Sequence, residues 1–339
     1  MKKSQQAKGN TLGDWAYLAI EKHLDKIIKQ EADVIKDRDP EAVHQMRVGM
    51  RRLRSAVTGF APALDLPKDA SEKKIAKIAR LLGQLRDLDV LKEAIKTHYQ
   101  PTLPQAEQKS LAKVLDHLAK ERKHAIEAIK SNKSQEDYEE VKDAFEKWLK
   151  KPTFTKLASL PINDVLPELL LPAVSKLFLH PGWLVGVSAK NGEISFTNTL
   201  TLGELGELLA EQGLMLHSLR KEAKRVRYQM ELFTEFYGSN YADSLEDITE
   251  IQSILGKIQD CAILAEFMAD VFKSDIQNYL PTLAQQLAQT SYDAWQEWRP
   301  FQEKYLHAKA RQRVHLALIK PSGEPPRTTK DNDKNLVIG

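Results

Sequence analysis

A chain of 339 residues with ordinary hydrophobic content and little Gly or Pro is long enough for two domains with sizeable cores, and its composition excludes a largely disordered protein. Fifty basic against 47 acidic residues leave a net charge of only +3, so bulk charge announces no polyanion partner and any such signal has to be local. The single cysteine, Cys261, excludes an internal disulfide and reads as a buried structural thiol in a reducing cytoplasm.

Residues 1–10 read as a frayed basic tail without the apolar segment of a secretory signal, and no uncharged run approaches the ~20 residues of a membrane span. Thr11 can cap a helix running to about Val34, with Trp15, Leu18, Ile20, Leu24, Ile27 and Ile28 at helical spacing. Asp39 followed by Pro40 is an N-cap and first-turn pair for the next helix, which ends before Pro62. That helix holds the most informative stretch of the chain, HQMRVGMRRLR from His44 to Arg54. At about 100° per residue, His44, Arg47, Arg51 and Arg54 share one stripe, with Arg52 on its flank. Met46, Met50, Leu53, Val57 and Phe60 gather on the opposite side and need a core. No acidic residue interrupts the run, so the cations repel one another and their counter-charge must come from elsewhere.

A third helix starts at Asp69 or Ser71 and carries Ile75, Ile78, Leu81, Leu82, Leu85, Leu88 and Leu91. A fourth runs from about Gln105 to Ile129 and a fifth over 134–150. From Pro152 to about Leu202 prolines and glycines break the periodicity, and this is where the chain divides. The segment reads as a helix around 163–179 and a small β-hairpin near 183–197, WLVGVSA and EISFTN, turning at Asn191-Gly192. Thr201 and Glu204 form a capping box for a second basic helix reaching about Tyr237. Further helices follow from Ala242 to Phe272 and from Asn278 or Pro281 to about Leu318, with Trp295, Trp298 and Tyr305 as core. The segment 321–339 is polar and reads as a disordered tail.

The second basic helix repeats the first: HSLRKEAKRVR, from His217 to Arg227, lies 173 residues after its counterpart, and both read H-x-x-R-x-x-x-[RK]-R-x-R. At the same offset Phe60 matches Phe233, Leu82-Gly83 matches Leu255-Gly256, and Asp87 matches Asp260. A match held at constant offset across two helices indicates an internal duplication, hence two related helical bundles in one all-α chain, over 11–160 and 161–318. The duplication is uneven, because Lys73, Lys77 and Arg80 correspond to Glu246, Glu250 and Ser253.

The paired basic helices, each followed by an L-G-x-[LI]-x-D element (LGQLRDLD at 82–89, LGKIQD at 255–260), resemble the CHAD family, the conserved-histidine α-helical domain. The resemblance covers about residues 11–318. It implies two antiparallel four-helix bundles with pseudo-twofold symmetry and, between them, a basic groove or pore that binds inorganic polyphosphate, for which sulfate or phosphate can stand in. Members often accompany polyphosphate granules in the cytoplasm. Some are fused to triphosphate tunnel enzymes, and no E-x-E-x-K element marks such a domain here, so the chain resembles a stand-alone member.

Polyphosphate carries about one charge per phosphoryl unit and offers no bases to stack on, so it calls for forked donors at intervals, which arginines one helical turn apart supply. On this reading Arg47, Arg51, Arg54, Arg220, Lys224 and Arg227 contact phosphate oxygens. Arg52 and Arg225 lie at the edge or pair with Asp87 and Asp260. His44 and His217 either add a donor that strengthens below a pKa of ~6.5 or sit neutral between helices, and their matched positions do not separate the two. Lys73, Lys77 and Arg80, with Lys113, His117, Lys120 and His124 on the fourth helix, form a secondary stripe that extends the groove or is a solvated face. Lys304, Arg311, Arg313 and His315 are further candidates for lending charge. Arg86, Asp87 and Asp89 read as partners that orient the arginines rather than as a metal site.

The expectation is a binding module without catalysis, cofactor, metal or membrane. Two other classes compete. A phosphohydrolase or polyphosphate-processing enzyme working through a histidine would want a phosphate-cradling Gly loop, a carboxylate pair or a metal cluster, and the sequence offers none of these. A nucleic-acid binder would want aromatics interleaved with the basic stripes.

Overall fold

The computed structural model describes residues 10–37, 39–191, 193–196 and 200–321; most of both expected tails lies outside them. Thr11 and Asp14 close a capping box at the start of α1 (Leu12–Ile28). The single helix expected to Val34 is interrupted, because Lys29 is exposed and Gln30 only half-buried. The short α2 (Glu31–Lys36) then carries Val34 into the core before Asp37, at φ +50°, turns the chain. Asp39 caps α3 (Pro40–Gly59), its carboxylate accepting from the Glu41 amide at 2.8 Å. There follow α4 (Glu72–Ala94), α5 (Gln105–Lys130), α6 (Asn132–Lys150) and α7 (Leu166–Phe178).

The expected hairpin forms from β1 (Val187–Lys190) and β2 (Glu193–Phe196), with Val187 opposite Phe196 and Lys190 opposite Glu193. Asn191 takes the positive φ, +53°, that a two-residue turn demands; Gly192, Thr197 and Asn198 lie outside the described residues. The buried Gln302 side chain ties the approach to this hairpin to the body, donating to the carbonyls of Trp183 and Val185 at 2.8 Å each.

The Thr201–Glu204 capping box opens α8 (Leu202–Glu231). This helix stops short of Tyr237, because Phe233 and Phe236 turn inward on a 3-10 turn at Thr234–Phe236. After α9 (Ser239–Phe272) the last expected helix is two, α10 (Pro281–Leu306) and α11 (Ala308–Leu318). His307 is extended between them, which lets α11 bury Val314 and Leu318 where it packs on α7 and α9.

The contacts repeat. In the first half α1, α3, α4 and α6 close a ring of four packed helices, and in the second α7, α8, α9 and α11 close its counterpart. The remaining long helices, α5 and α10, lie along α4 and α9. Two apolar cores result, and both draw on both halves. The larger contains Phe60, Phe233, Leu82 and Leu255 together with Trp295, Trp298 and Tyr305. The smaller joins Ile95, Leu111 and Leu118 to Cys261, Leu264, Leu283 and Leu287. Burial pushes the Cys261 thiol pKa up, as suits a structural thiol. No helix of the described residues is long and apolar enough to cross a membrane.

Candidate functional site

The two cores leave a polar waist between them. Along α4 the larger core ends with Leu82 and Leu85 and the smaller begins with Leu88 and Leu91, and Asp87 stands in the gap. Along α9 Asp260 stands between Ile258 of the larger core and Cys261 of the smaller. Both carboxylates are about as exposed, 72% and 70%, and each faces the first arginine of its own basic helix: Arg47 Nη2 is 3.4 Å from Asp87 Oδ1 and Arg220 Nη2 4.0 Å from Asp260 Oδ1.

The glycine of each L-G-x-[LI]-x-D element explains how the arginine reaches that position. A Cβ on Gly83 would stand 3.7 Å from Arg47 Nε, and one on Gly256 3.3 Å from Arg220 Nε, so each guanidinium lies across helix backbone left bare by a missing side chain. Asp260 touches water yet is enclosed by protein at longer range. This burial raises its pKa, with the charge of Asp87 adding to the rise and Arg220 opposing it.

Next to the waist is a cleft of about 500 Å³ lined by α3, α4 and α8. Arg47, Arg51 and Arg54 come from α3, Arg80 from α4, and Lys221, Lys224 and Arg225 from α8, against one carboxylate, Glu72. The opposite side of each basic helix is apolar and buried, through Met46, Met50, Leu53 and Val57 in α3 and Leu216, Leu219, Ala223, Val226 and Met230 in α8. That burial turns the cations of both halves toward one place.

Lys224 shows the result. Burial, then the charges of Arg47, Arg51 and Arg220, pull its pKa down to about 8, and Asp87 opposes them only in part. Arg51 is also held from below: its guanidinium lies 4.2 Å from the centre of the buried Tyr228 ring, with Arg227 at 5.5 Å from the same ring. Burial lowers the Arg51 pKa, and neither Arg51 Nε nor Arg220 Nε has a protein acceptor.

The other predicted residues are placed as follows. Arg54 pairs with Glu72. Arg227 is engaged by Glu231 at 2.8 Å and by Gln252 at 2.9 Å. Arg52 and Arg225 do not pair with Asp87 and Asp260, because they lie toward other groups while Arg47 and Arg220 face those carboxylates. Arg225 lies 3.0 Å from Glu222, the buried acid that interrupts the second copy and also holds Lys176 at 3.2 Å. Arg52 lies toward α1, close enough to His23 to help burial hold that imidazole's pKa down at about 3.

His44 and His217 are half-buried, one turn before Arg47 and Arg220, and the Nδ1 of each lacks a protein partner. Burial lowers both pKa values. Arg86, Arg51 and Arg47 add to the effect at His44, and Lys221 and Arg220 at His217; Glu41 and Gln259 respectively oppose it.

Of the secondary stripe, only Arg80 lines the cleft. Lys73 is exposed on α4, and Lys77 pairs with Asp137 of α6. Lys113 and Lys120 are exposed on α5, on whose contact with α9 the His117 ring meets Phe267 at 5.6 Å. Lys304 engages Asp247, Arg311 the Leu306 carbonyl, and the His315 ring meets Phe178, so none of these joins the cleft.

Sequence reasoning missed three residues. Lys221 sits four residues after His217 and was readable at helical spacing. Tyr228 carries no periodic signal toward the stripe. Arg122 binds Asp37 bidentately, at 2.8 and 2.9 Å, and Asp89 at 2.7 Å, from a helix with no apparent link to either.

Three comparisons bear on identity. Among solved structures, the CHAD domain from the plant Ricinus communis is similar at a TM-score of 0.54 and 18% identity, covering 93% of this chain and 95% of that one. PptA from Streptomyces chartreusis is similar at a TM-score of 0.57 and 16% identity, covering 92% of this chain and all of that one. At such identities the likeness shows a shared helical fold. The search of curated proteins gives no match. The profile of the CHAD domain matches residues 18–269, most of the chain, and the protein therefore belongs to the CHAD-domain family.

Proposed function

We propose that the protein binds inorganic polyphosphate in the cleft between α3, α4 and α8, without making or breaking phosphoanhydride bonds itself. The observation that carries this reading is the crowding at Lys224, where three arginines drawn from both basic helices loosen a lysine proton and the nearby Asp87 does not offset them. Such a cluster is held together against its own repulsion and is relieved when a polyanion enters. Successive turns of α3 present Arg47, Arg51 and Arg54 at intervals of about 5–6 Å, which a flexible phosphate chain can follow. Arg51 Nε and Arg220 Nε are buried without protein acceptors, so the counter-charge of these guanidiniums is not fully supplied by the protein. On the same reading the protein works in the cytoplasm, alongside polyphosphate granules.

The test is titration with long-chain polyphosphate over a range of salt. Several phosphate contacts make affinity fall steeply as salt rises, with a log–log slope of about −0.7 per contact by analogy with single-stranded nucleic acid. Arg51→Glu and Lys224→Glu should each abolish most of the binding. Unchanged binding in both variants would reject the reading. Metal-dependent phosphate release lost in His44→Ala would establish an enzyme instead, and equal competition by RNA of matched charge would establish a general polyanion binder.

A further inference from the structure

The pseudo-twofold axis lets each side of the waist be compared with the other. Phe60 and Phe233, counterparts at the 173-residue offset, pack edge to face on each other, and Gly59 faces its own counterpart, Leu232, so the axis runs between α3 and α8. The floor of the waist is shared, since Arg51 and Lys224 are themselves counterparts and both line the same cleft. What differs is the flanking helix, α4 on one side and α9 on the other.

On the α4 side Arg80 lines the cleft and Glu72 is its one carboxylate. The counterpart of Arg80 on α9 is Ser253, exposed and uncharged. The exposed Glu246 and Glu250 stand where α4 carries Lys73 and Lys77. The α8 residues Lys221 and Arg225 add charge to the α4 side, whereas their α3 counterparts are Val48 and Arg52, and Arg52 lies toward His23. Arg227 on the α9 side is engaged by both Glu231 and Gln252.

We propose that polyphosphate docks on the α4 side only, and that Arg80 is the binding residue that makes the duplicated site one-sided. This rests on the polyphosphate reading above. A fold with two related faces thereby presents one of them: the incoming chain meets Arg80, Lys221 and Arg225 first and then the shared floor, while Glu246 and Glu250 repel it from the opposite approach.

A charge-conserving swap tests this. In the full chain, Arg80→Ser should weaken binding of long-chain polyphosphate about tenfold at fixed low salt, as expected for a lost charge-assisted phosphate contact. The double variant Arg80→Ser/Ser253→Arg has the native net charge, and its affinity should stay at the level of Arg80→Ser. Recovery of native affinity in the double variant, or no loss in Arg80→Ser, overturns the one-sided site. Both positions are exposed, and unchanged thermal unfolding would show that the fold is intact. Arg51→Glu separates the two levels of argument. If it and Lys224→Glu both leave affinity unchanged, the polyphosphate reading fails and takes this inference with it. If it abolishes binding while the swap restores affinity, only the one-sidedness fails.

Discussion

The rings of Phe60 and Phe233 meet edge to face across the two halves, with centroids 5.1 Å apart and planes at 70°, although each residue ends its own basic helix in its own copy of the repeat. Both are fully buried. Replacing either by Ala should cost about 3–5 kcal/mol through lost transfer and the cavity left behind. The double variant should cost less than the sum, because the second truncation opens a cavity already begun. Urea unfolding of the four proteins checks this, and strict additivity would mean that the rings do not stabilise each other.

Lys224 gives the site a pH dependence of known sign. Its pKa falls from 10.5 to about 8 on folding, so between those values the unfolded chain holds more protons and the stability of the free protein rises with pH. A bound polyanion favours the charged amine and returns the pKa upward. Affinity should therefore run the other way, constant below about pH 7 and falling as the pH passes through 8 and beyond. Lys224→Arg, charged throughout, should bind with no such fall. Calorimetric titration at pH 7 and pH 9.5 makes the comparison.

The two glycines under the arginines should respond differently to the same change. At Gly83 an added methyl meets Arg47 at an ordinary contact distance of 3.7 Å, so Gly83→Ala should stabilise the helix by up to about 1 kcal/mol and leave binding unchanged. At Gly256 the methyl would lie 3.3 Å from Arg220 Nε and 3.4 Å from Nη2. Gly256→Ala should displace that guanidinium and weaken polyphosphate binding several-fold while the helix gains similarly. Parallel melting curves and titrations would show the split.

Arg122 lies outside the cleft lining and carries a prediction about stability alone. It neutralises Asp37 and Asp89, and the Asp89 side chain is only 9% exposed. Arg122→Ala leaves that carboxylate without its cation and should destabilise the protein by about 2–4 kcal/mol. Arg122→Lys should recover little, because an ammonium cannot span both carboxylates as the fork does. Chemical unfolding measures both.

Much of this architecture is legible in the order of residues, because its signals are local. Apolar spacing, the Thr11, Asp39 and Thr201 caps and the Asn191-Gly192 turn each act within a few residues, and the repeat at constant offset turns local signals into a global one. The breaks after Ile28 and at His307 were not legible, since helix-forming residues there yield to what the neighbouring helices need to bury. Both basic stripes were visible as periodicity, but which cations stay available depends on contacts no pattern records. Arg54 and Arg227 share the stripe with Arg51 and Lys224, yet Glu72 and Glu231 engage them. Arg122 was invisible for the same reason, as Asp37 and Asp89 precede it by 85 and 33 residues.

The placing of the cores above and below the waist has a mechanical result. Phe60 against Phe233 fastens the walls at one end, and Ile95 and Leu111 with Leu283 and Leu287 fasten them at the other, so the two halves are clamped together on both sides of the gap. Prising the halves apart would therefore expose apolar surface at both ends at once.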